Sequence, residues 1–446
     1  MVESSPNNYD ALVIGGGPAG STAALVMARA GLKVLLVERT PFPRFHIGES
    51  LLPRNWNLFH ELGLAEPLAA LPQVDKRGAE FRLAFGGDEH ATRFPFNIAL
   101  VGGENITLNI ERAPFDTMLL DQARKAGAEV VEGKAVRSIL RLADGDVAIE
   151  VEGRGEVSAR WLIDASGQST LVGKHLGIRK VLPDLKKAAY FGHFDNVRRR
   201  PGVEGGYPVI VMCEEGWFWL IPLDEHRTSI GFVTAADTVR RAGVPPQEML
   251  AWAIARSPVM RERTADAVFP TATHVVADFS YQCHPYAGPG YFLAGDAATF
   301  VDPIFSTGVC LAMMSAVQAA QGVIALVRPG AAAGAEGIRR RYCRYVEGSS
   351  SVFFGLVRGY YRHAFRELFL SGSGPLQIHC AVIAALTGNV FPRPPWGVRW
   401  RLALFHLFVR IQERFPLAPR RPRFSLFESP VEDEAAAAPQ AAPRLG

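Results

Sequence analysis

The chain is short of residues that form covalent or metal crosslinks. Only 5 of its 446 residues are cysteine (Cys213, Cys283, Cys310, Cys343 and Cys380), and no two stand in a C-x-x-C pair. The odd count and wide spacing exclude a disulfide framework and a thiolate zinc site. They fit small buried thiols in a reducing compartment, so the expected location is cytoplasmic. A leader pattern is also missing, because Met1–Asp10 is polar without a charged-then-apolar order. No run of about 18 uninterrupted apolar residues occurs, so no transmembrane segment is expected. The net charge of +4 is too weak to argue for a nucleic-acid partner. Charge is lopsided in one place: residues 330–446 hold sixteen arginines and eight acids but no lysine. A basic face for an acidic partner and arginines on solvated helices both account for this, and the second is the commoner arrangement.

What is present describes an ordinary globular protein, 48% apolar and 21% charged, long enough for two or three interlocked domains. Ala11–Ile14 reads as a buried strand, followed by Gly15-x-Gly17-x-x-Gly20 and an alanine-rich helix to Ala30. A second strand, 33–37, ends at Glu38. This is a βαβ unit with the dinucleotide fingerprint in full context. Gly15 permits the tight turn, Gly17 lets the backbone approach a pyrophosphate, and Gly20 allows close helix–sheet packing. Glu38 lies where a carboxylate accepts from ribose hydroxyls. Ala19 and Arg39 fall within the same expected contact set.

Further along, a helix is expected over 115–126 after Arg112, then a strand at 128–131 and a hairpin over 135–142 and 147–151. Residues 161–164 read as a buried strand ending at Asp164, before the turn to Gly167. The stretches 79–96 and 188–233 alternate apolar and polar residues between turn signals, as an antiparallel sheet does. Beyond Pro329 the composition shifts to helix: 337–370, 376–386 and 398–415, with breaks at Gly372–Pro375 and Pro392–Pro395. The last of these carries an apolar stripe among arginines. It suits either a membrane surface or, more commonly, a helix packed over a pocket. Residues 428–446, acidic and then Ala/Pro-rich, are expected to be disordered.

Several stretches resemble the flavin-dependent halogenases, a branch of the geranylgeranyl-reductase-like FAD enzymes. The loop 42–53 (FPRFHIGESLLP) matches that family's loop after the second strand, with Arg44, Gly48 and Ser50 as implied FAD contacts. Arg112, Asp164, Gly295 and Asp296 resemble further FAD contacts. Residues 300–308 (FVDPIFSTG) resemble the family's F-x-x-P-x-x-S-x-G turn. There Pro303 and Gly308 adjoin the flavin, Ser306 belongs to the catalytic set, and the backbone of Thr307 and Gly308 binds halide. A turn that opens a helix suits such a task, since its amides lack partners and carry the positive end of the helix dipole. Trp217 and Trp219 sit in GWFWLIP, which fits the family's W-x-W-x-I-P pattern, and Lys76 falls where the family carries its catalytic lysine.

The resemblance implies an α/β fold. It comprises a discontinuous Rossmann-type FAD-binding domain (1–75, 112–185 and 276–330) and an inserted antiparallel β substrate domain (76–111 and 186–275). A helical C-terminal lid region (331–427) and the tail (428–446) complete the chain. It also implies a natural-product halogenase. FADH2 from a separate NAD(P)H-dependent flavin reductase would act with O2 on chloride or bromide to form hypohalous acid. The tryptophan segment would keep substrate from the flavin, and the oxidant would pass to Lys76, which halogenates an electron-rich aromatic ring. Tryptophan halogenases usually carry glutamate before Ser-Thr-Gly; here the residue is Phe305. That favours a phenol or pyrrole, free or bound to an acyl or peptidyl carrier protein. Three readings compete: an FAD-dependent aromatic monooxygenase, a geranylgeranyl-type reductase, and a non-catalytic flavin-binding partner.

Overall fold

Parallel strands covered on both faces read as continuous apolar runs, and the first sheet is built from them. Tyr9–Ile14 lies at its centre, flanked in parallel by Val34–Glu38 and Gly155–Asp164, with Glu129–Glu132 and Tyr291–Leu293 beyond them. Leu12, Leu35, Leu36, Leu162 and Ile163 are fully buried there. The structure, a computed structural model, describes residues 9–85, 88–101, 105–270, 272–277, 280–328 and 334–421. The expected tail at 428–446 lies outside them. The helix Pro18–Arg29 packs against the long helix Gly308–Val327. Gly308–Val327 is long and apolar enough to cross a membrane, but most of it is buried inside the protein.

The second sheet has seven strands, in the order His274–Ala277, Ala188–Asp195, Arg227–Thr234, Gly216–Pro222, Val209–Cys213, Gly78–Phe85 and Asp88–Pro95. It was expected to be antiparallel throughout, and one pairing corrects this. Gly78–Phe85 runs parallel to Val209–Cys213, because the sheet is assembled from two chain segments that enter it separately. Alternation along Gly216–Pro222 separates two cores. Phe218 and Leu220 pack with Met249, Leu250 and Ile254 on one face, while Trp217 and Trp219 join the main core on the other.

Two short strands, Val74–Lys76 and Thr107–Asn109, pair apart from either large sheet. The C-terminal region holds Ala335–Tyr360, His363–Leu370, Ile378–Leu386 and Trp396–Arg414. The single helix expected over 337–370 is broken at Tyr361–Arg362, where Arg362 is extended. Gly359 makes the turn possible: a Cβ there would lie 2.4 Å from the Phe365 ring, so only glycine lets the two helices cross so closely.

Candidate functional site

The fingerprint glycines have the geometry their spacing predicts. At Gly15 (φ +98°) an added Cβ would lie 2.4 Å from the Ala165 carbonyl oxygen, and at Gly20 one would lie 1.8 Å from that of Gly15. Gly17 caps the helix Pro18–Arg29 without any side-chain hydrogen bond, and among the described residues no acceptor takes the amide of Ala19. Glu38 is buried and accepts from the amide of Gly16 at 2.7 Å and from that of Thr40 at 2.9 Å, whereas Arg39 is exposed. Arg44 stacks over Phe42 and reaches toward Gly17.

Arg112 is buried and grips Asp116 through two hydrogen bonds, at 2.7 and 2.9 Å, and the Ile47 carbonyl at 2.6 Å. It therefore fixes the loop that carries Gly48 (φ +96°). Asp164 spends both carboxylate oxygens on backbone amides, those of Ser166 and Val172, so it shapes the turn beside Gly15. Gly295, also left-handed, donates its amide to Ser315 of the long helix. Burial pushes the Asp296 carboxyl up to about 7 against the charge of Arg112, and among the described residues it accepts no hydrogen bond. Ser50 Oγ and Asn109 Oδ1, on residues that bridge one another, are likewise buried without partners. A glycine-lined turn at a helix start, a buried acid at the end of the neighbouring strand and unpaired buried polar atoms fit FAD well.

The turn at 300–308 is built by Asp302. Its side chain accepts from the Ile304 amide, Pro303 opens a single 3-10 turn, and Ser306 ends it in the left-handed region (φ 57°). A non-glycine residue there is strained, a condition that clusters at functional sites. Thr307, buried, then starts the helix Gly308–Val327 with no side-chain cap. Among the described residues no acceptor takes the amides of Thr307 and Gly308. A Cβ on Gly308 would meet nothing within 4 Å. Unpaired amides at a helix start with open space before them suit a small anion.

Lys76 is 3% exposed. Its Nζ donates to the Leu51 carbonyl at 2.8 Å and lies 5.4 Å from the centre of the Phe96 ring. Among the described residues no carboxylate pairs with it, and burial alone lowers its pKa to about 7. Lys76 is therefore no solvated surface lysine.

Trp217 donates its indole N–H to Tyr361 Oη at 3.0 Å, and Tyr361 donates to Asp302 at 2.6 Å. The tryptophan segment, the C-terminal helices and the turn at 300–308 thus form one hydrogen-bonded chain. Burial pushes Asp302 up to about 6, although the hydrogen bonds from Tyr361 and Ile304 oppose the shift. Trp219 donates to Ser229 at 3.2 Å and lies 6.1 Å from the Trp217 ring.

Two further residues of the site went unnoticed in the sequence. Glu49, 1% exposed, meets His193 Nε2 at 2.7 Å. Burial would lower the pKa of His193, but the hydrogen bond and charge of Glu49 outweigh it and raise it. Only the position of Glu49 inside the FAD loop hinted at a role, and nothing in the sequence linked it to a histidine 144 residues away.

A family model described as "FAD binding domain" matches residues 8–336. The chain is 33% identical over 354 residues to a 1H-pyrrole-2-carbonyl-[peptidyl-carrier protein] chlorinase of Pseudomonas fluorescens, covering 73% of this chain and 77% of that protein. It is also 33% identical over 346 residues to a tryptophan 2-halogenase of Chondromyces crocatus, covering 72% and 62%. Among solved structures, the flavin-dependent brominase Bmp2 superposes with a TM-score of 0.77 at 28% identity, covering 91% of this chain and 100% of that one. Sharing a third of its residues with such enzymes over most of its length, the chain belongs to the flavin-dependent halogenases, oxidoreductases that use FAD and halide.

Proposed function

We propose that this enzyme oxidises chloride or bromide at the turn Asp302–Gly308 and delivers hypohalous acid through the protein interior to Lys76. There an electron-rich phenol or pyrrole, free or tethered to a carrier protein, is halogenated. FAD, reduced by a separate NAD(P)H-dependent flavin reductase, supplies the two electrons that activate O2. The chain's own residues do the rest. The amides of Thr307 and Gly308 hold the halide, Trp217 and Trp219 wall off the flavin side, and Lys76 hands the halogen to carbon.

The observation that carries this reading is the burial of Lys76 without a counter-ion among the described residues. A surface amine would lose the oxidant to water, and an ion-paired one would have no free donor. With its pKa lowered to about 7, Lys76 is present near neutral pH as both ammonium and amine. The first hydrogen-bonds hypohalous acid and the second forms a haloamine with it. Phe305 favours a ring that needs no carboxylate base. It packs 5.9 Å from Tyr360 and 6.1 Å from Phe369, and an ionised phenol already supplies its own electron density.

The test is a turnover assay with FAD, a flavin reductase, NADH, O2 and bromide or chloride. Resorcinol, a free pyrrole, a carrier-tethered pyrrole and tryptophan are compared by mass spectrometry. The expected product gains one halogen on the phenol or on either pyrrole. Gain of one oxygen, uptake of hydrogen, or halogenation of tryptophan faster than of every phenol and pyrrole would overturn the reading.

A further inference from the structure

A cavity in the C-terminal helical region plays no part in the site described above. Its volume is about 520 Å³, within the ~300–1,000 Å³ range of small-molecule sites. The wall is mainly apolar, with Phe94 and Phe369 on the side of the large sheet and Ile378, Val382, Phe405 and Phe408 from the helices. Two contacts tie it to the chemistry. The Phe369 ring lies 6.1 Å from that of Phe305 in the halide turn. Phe94, stacked on Phe369 at 4.5 Å, is two residues from Phe96, the ring beneath Lys76.

The cavity has a fixed outer wall. Leu417, Ala418 and Pro419 line it from a strap that follows the last helix. Gln412 holds that strap by accepting from the amides of Leu417 (2.6 Å) and Ala418 (2.9 Å). Glu367, fully buried, accepts from Gln412 at 2.6 Å, Arg420 at 3.0 Å and the Arg421 amide at 2.9 Å. At the rim, Leu376 and Gln377 are consecutive left-handed residues, both with φ 57°, a strained arrangement of the kind that clusters at ligand clamps. His379 on the wall has a buried Nδ1 without a partner among the described residues.

We infer that this cavity takes an apolar chain carried by the aromatic substrate, so that the enzyme halogenates a lipophilic phenol or pyrrole. The inference rests on the proposed reaction at Lys76. An alkyl chain matches the mainly apolar wall because each methylene buried there leaves water and brings no polar group of its own to be paired. A phosphopantetheine arm, with two amides, matches it poorly.

Resorcinol and 4-hexylresorcinol, which differ only in the chain, test the inference. In the complete system with bromide, the hexyl compound is expected to show a KM at least tenfold lower. By calorimetry on the FAD-loaded enzyme it should bind at least tenfold tighter. Ser373→Trp, at the exposed rim, and Val382→Trp, in the wall, should each remove that advantage; the rim variant covers the case in which the wall variant fails to fold. Bromination of both compounds with equal KM would overturn the inference and leave the proposed reaction standing. So would a chain advantage that survives in folded Ser373→Trp. Tenfold tighter binding of the hexyl compound with bromination of neither would keep the cavity's role in binding the chain and sink the reaction.

Discussion

The flavin side of the molecule and its C-terminal helices solve different problems in different ways. On the flavin side each proposed function sits in a few consecutive residues, and the backbone carries most of it: glycines at 15, 17 and 20, amides at 307 and 308, a left-handed Ser306. In the C-terminal region no such run exists. The cavity wall and its clasp come from side chains far apart in sequence, as with Glu367 and Gln412, 45 residues apart. Backbone sites tolerate little change because a single Cβ fills them. Side-chain walls can be recut one residue at a time, which is where a family with shared chemistry can vary its substrates.

The largest effect should come from placing a side chain where the flavin-side backbone is bare. Gly308→Val projects a branched Cβ into the open space before Thr307 and Gly308 and is expected to abolish halogenation. Calorimetric binding of 4-hexylresorcinol should persist, and its loss would show that the two regions are not separable.

Glu367→Ala tests the other side. Removing a buried carboxylate with several partners costs roughly 3 kcal/mol, so Tm should fall by several degrees and hexylresorcinol binding should weaken. FAD binding, followed by flavin fluorescence, should survive; coincident loss of flavin would contradict the division.

Next comes Lys76→Met. Its amine is protonated only below about 7 when folded but up to its ordinary value near 10.5 when unfolded. Between these values the unfolded chain binds more protons, so stability rises with pH, and below 7 the buried ammonium costs its full desolvation. After allowing for the bond lost to Leu51, Lys76→Met should stabilise the protein by roughly 2 kcal/mol below pH 7. The gain should shrink toward pH 10, as thermal melts across this range would show. A gain that grows with pH would contradict the burial.

The smallest effect joins the two regions. Tyr361→Phe removes the hydroxyl between Trp217 and Asp302, and the halide KM should rise about fivefold, equivalent to ~1 kcal/mol for one hydrogen bond. Unchanged halide KM would mean that the C-terminal helices do not steady the turn.

How much of this was legible follows the same division. The βαβ unit and the two-residue alternation of Trp217 and Trp219 could be read, because local spacing determines them, whereas the turn at 300–308 was placed by resemblance. Lys76 was placed by resemblance alone. Its burial was not readable, because it depends on a three-residue strand pairing with Thr107–Asn109 and on a carbonyl 25 residues away. The parallel pairing within the large sheet, the Glu49–His193 pair and the break at Tyr361 were invisible for the same reason. Each is decided by which distant segments meet, and alternation or helical periodicity carries no record of that.

The claim that the oxidant is made in one place and used in another is tested most directly in Lys76→Ala. Reduced flavin, O2 and bromide are supplied, and free hypobromous acid, trapped by a small scavenger, is measured beside brominated resorcinol. The account predicts wild-type consumption of reduced flavin, scavenger bromination at least as great as in the wild type, and ring bromination reduced at least a hundredfold. Bromination of the ring by the variant at the wild-type rate and position would contradict it.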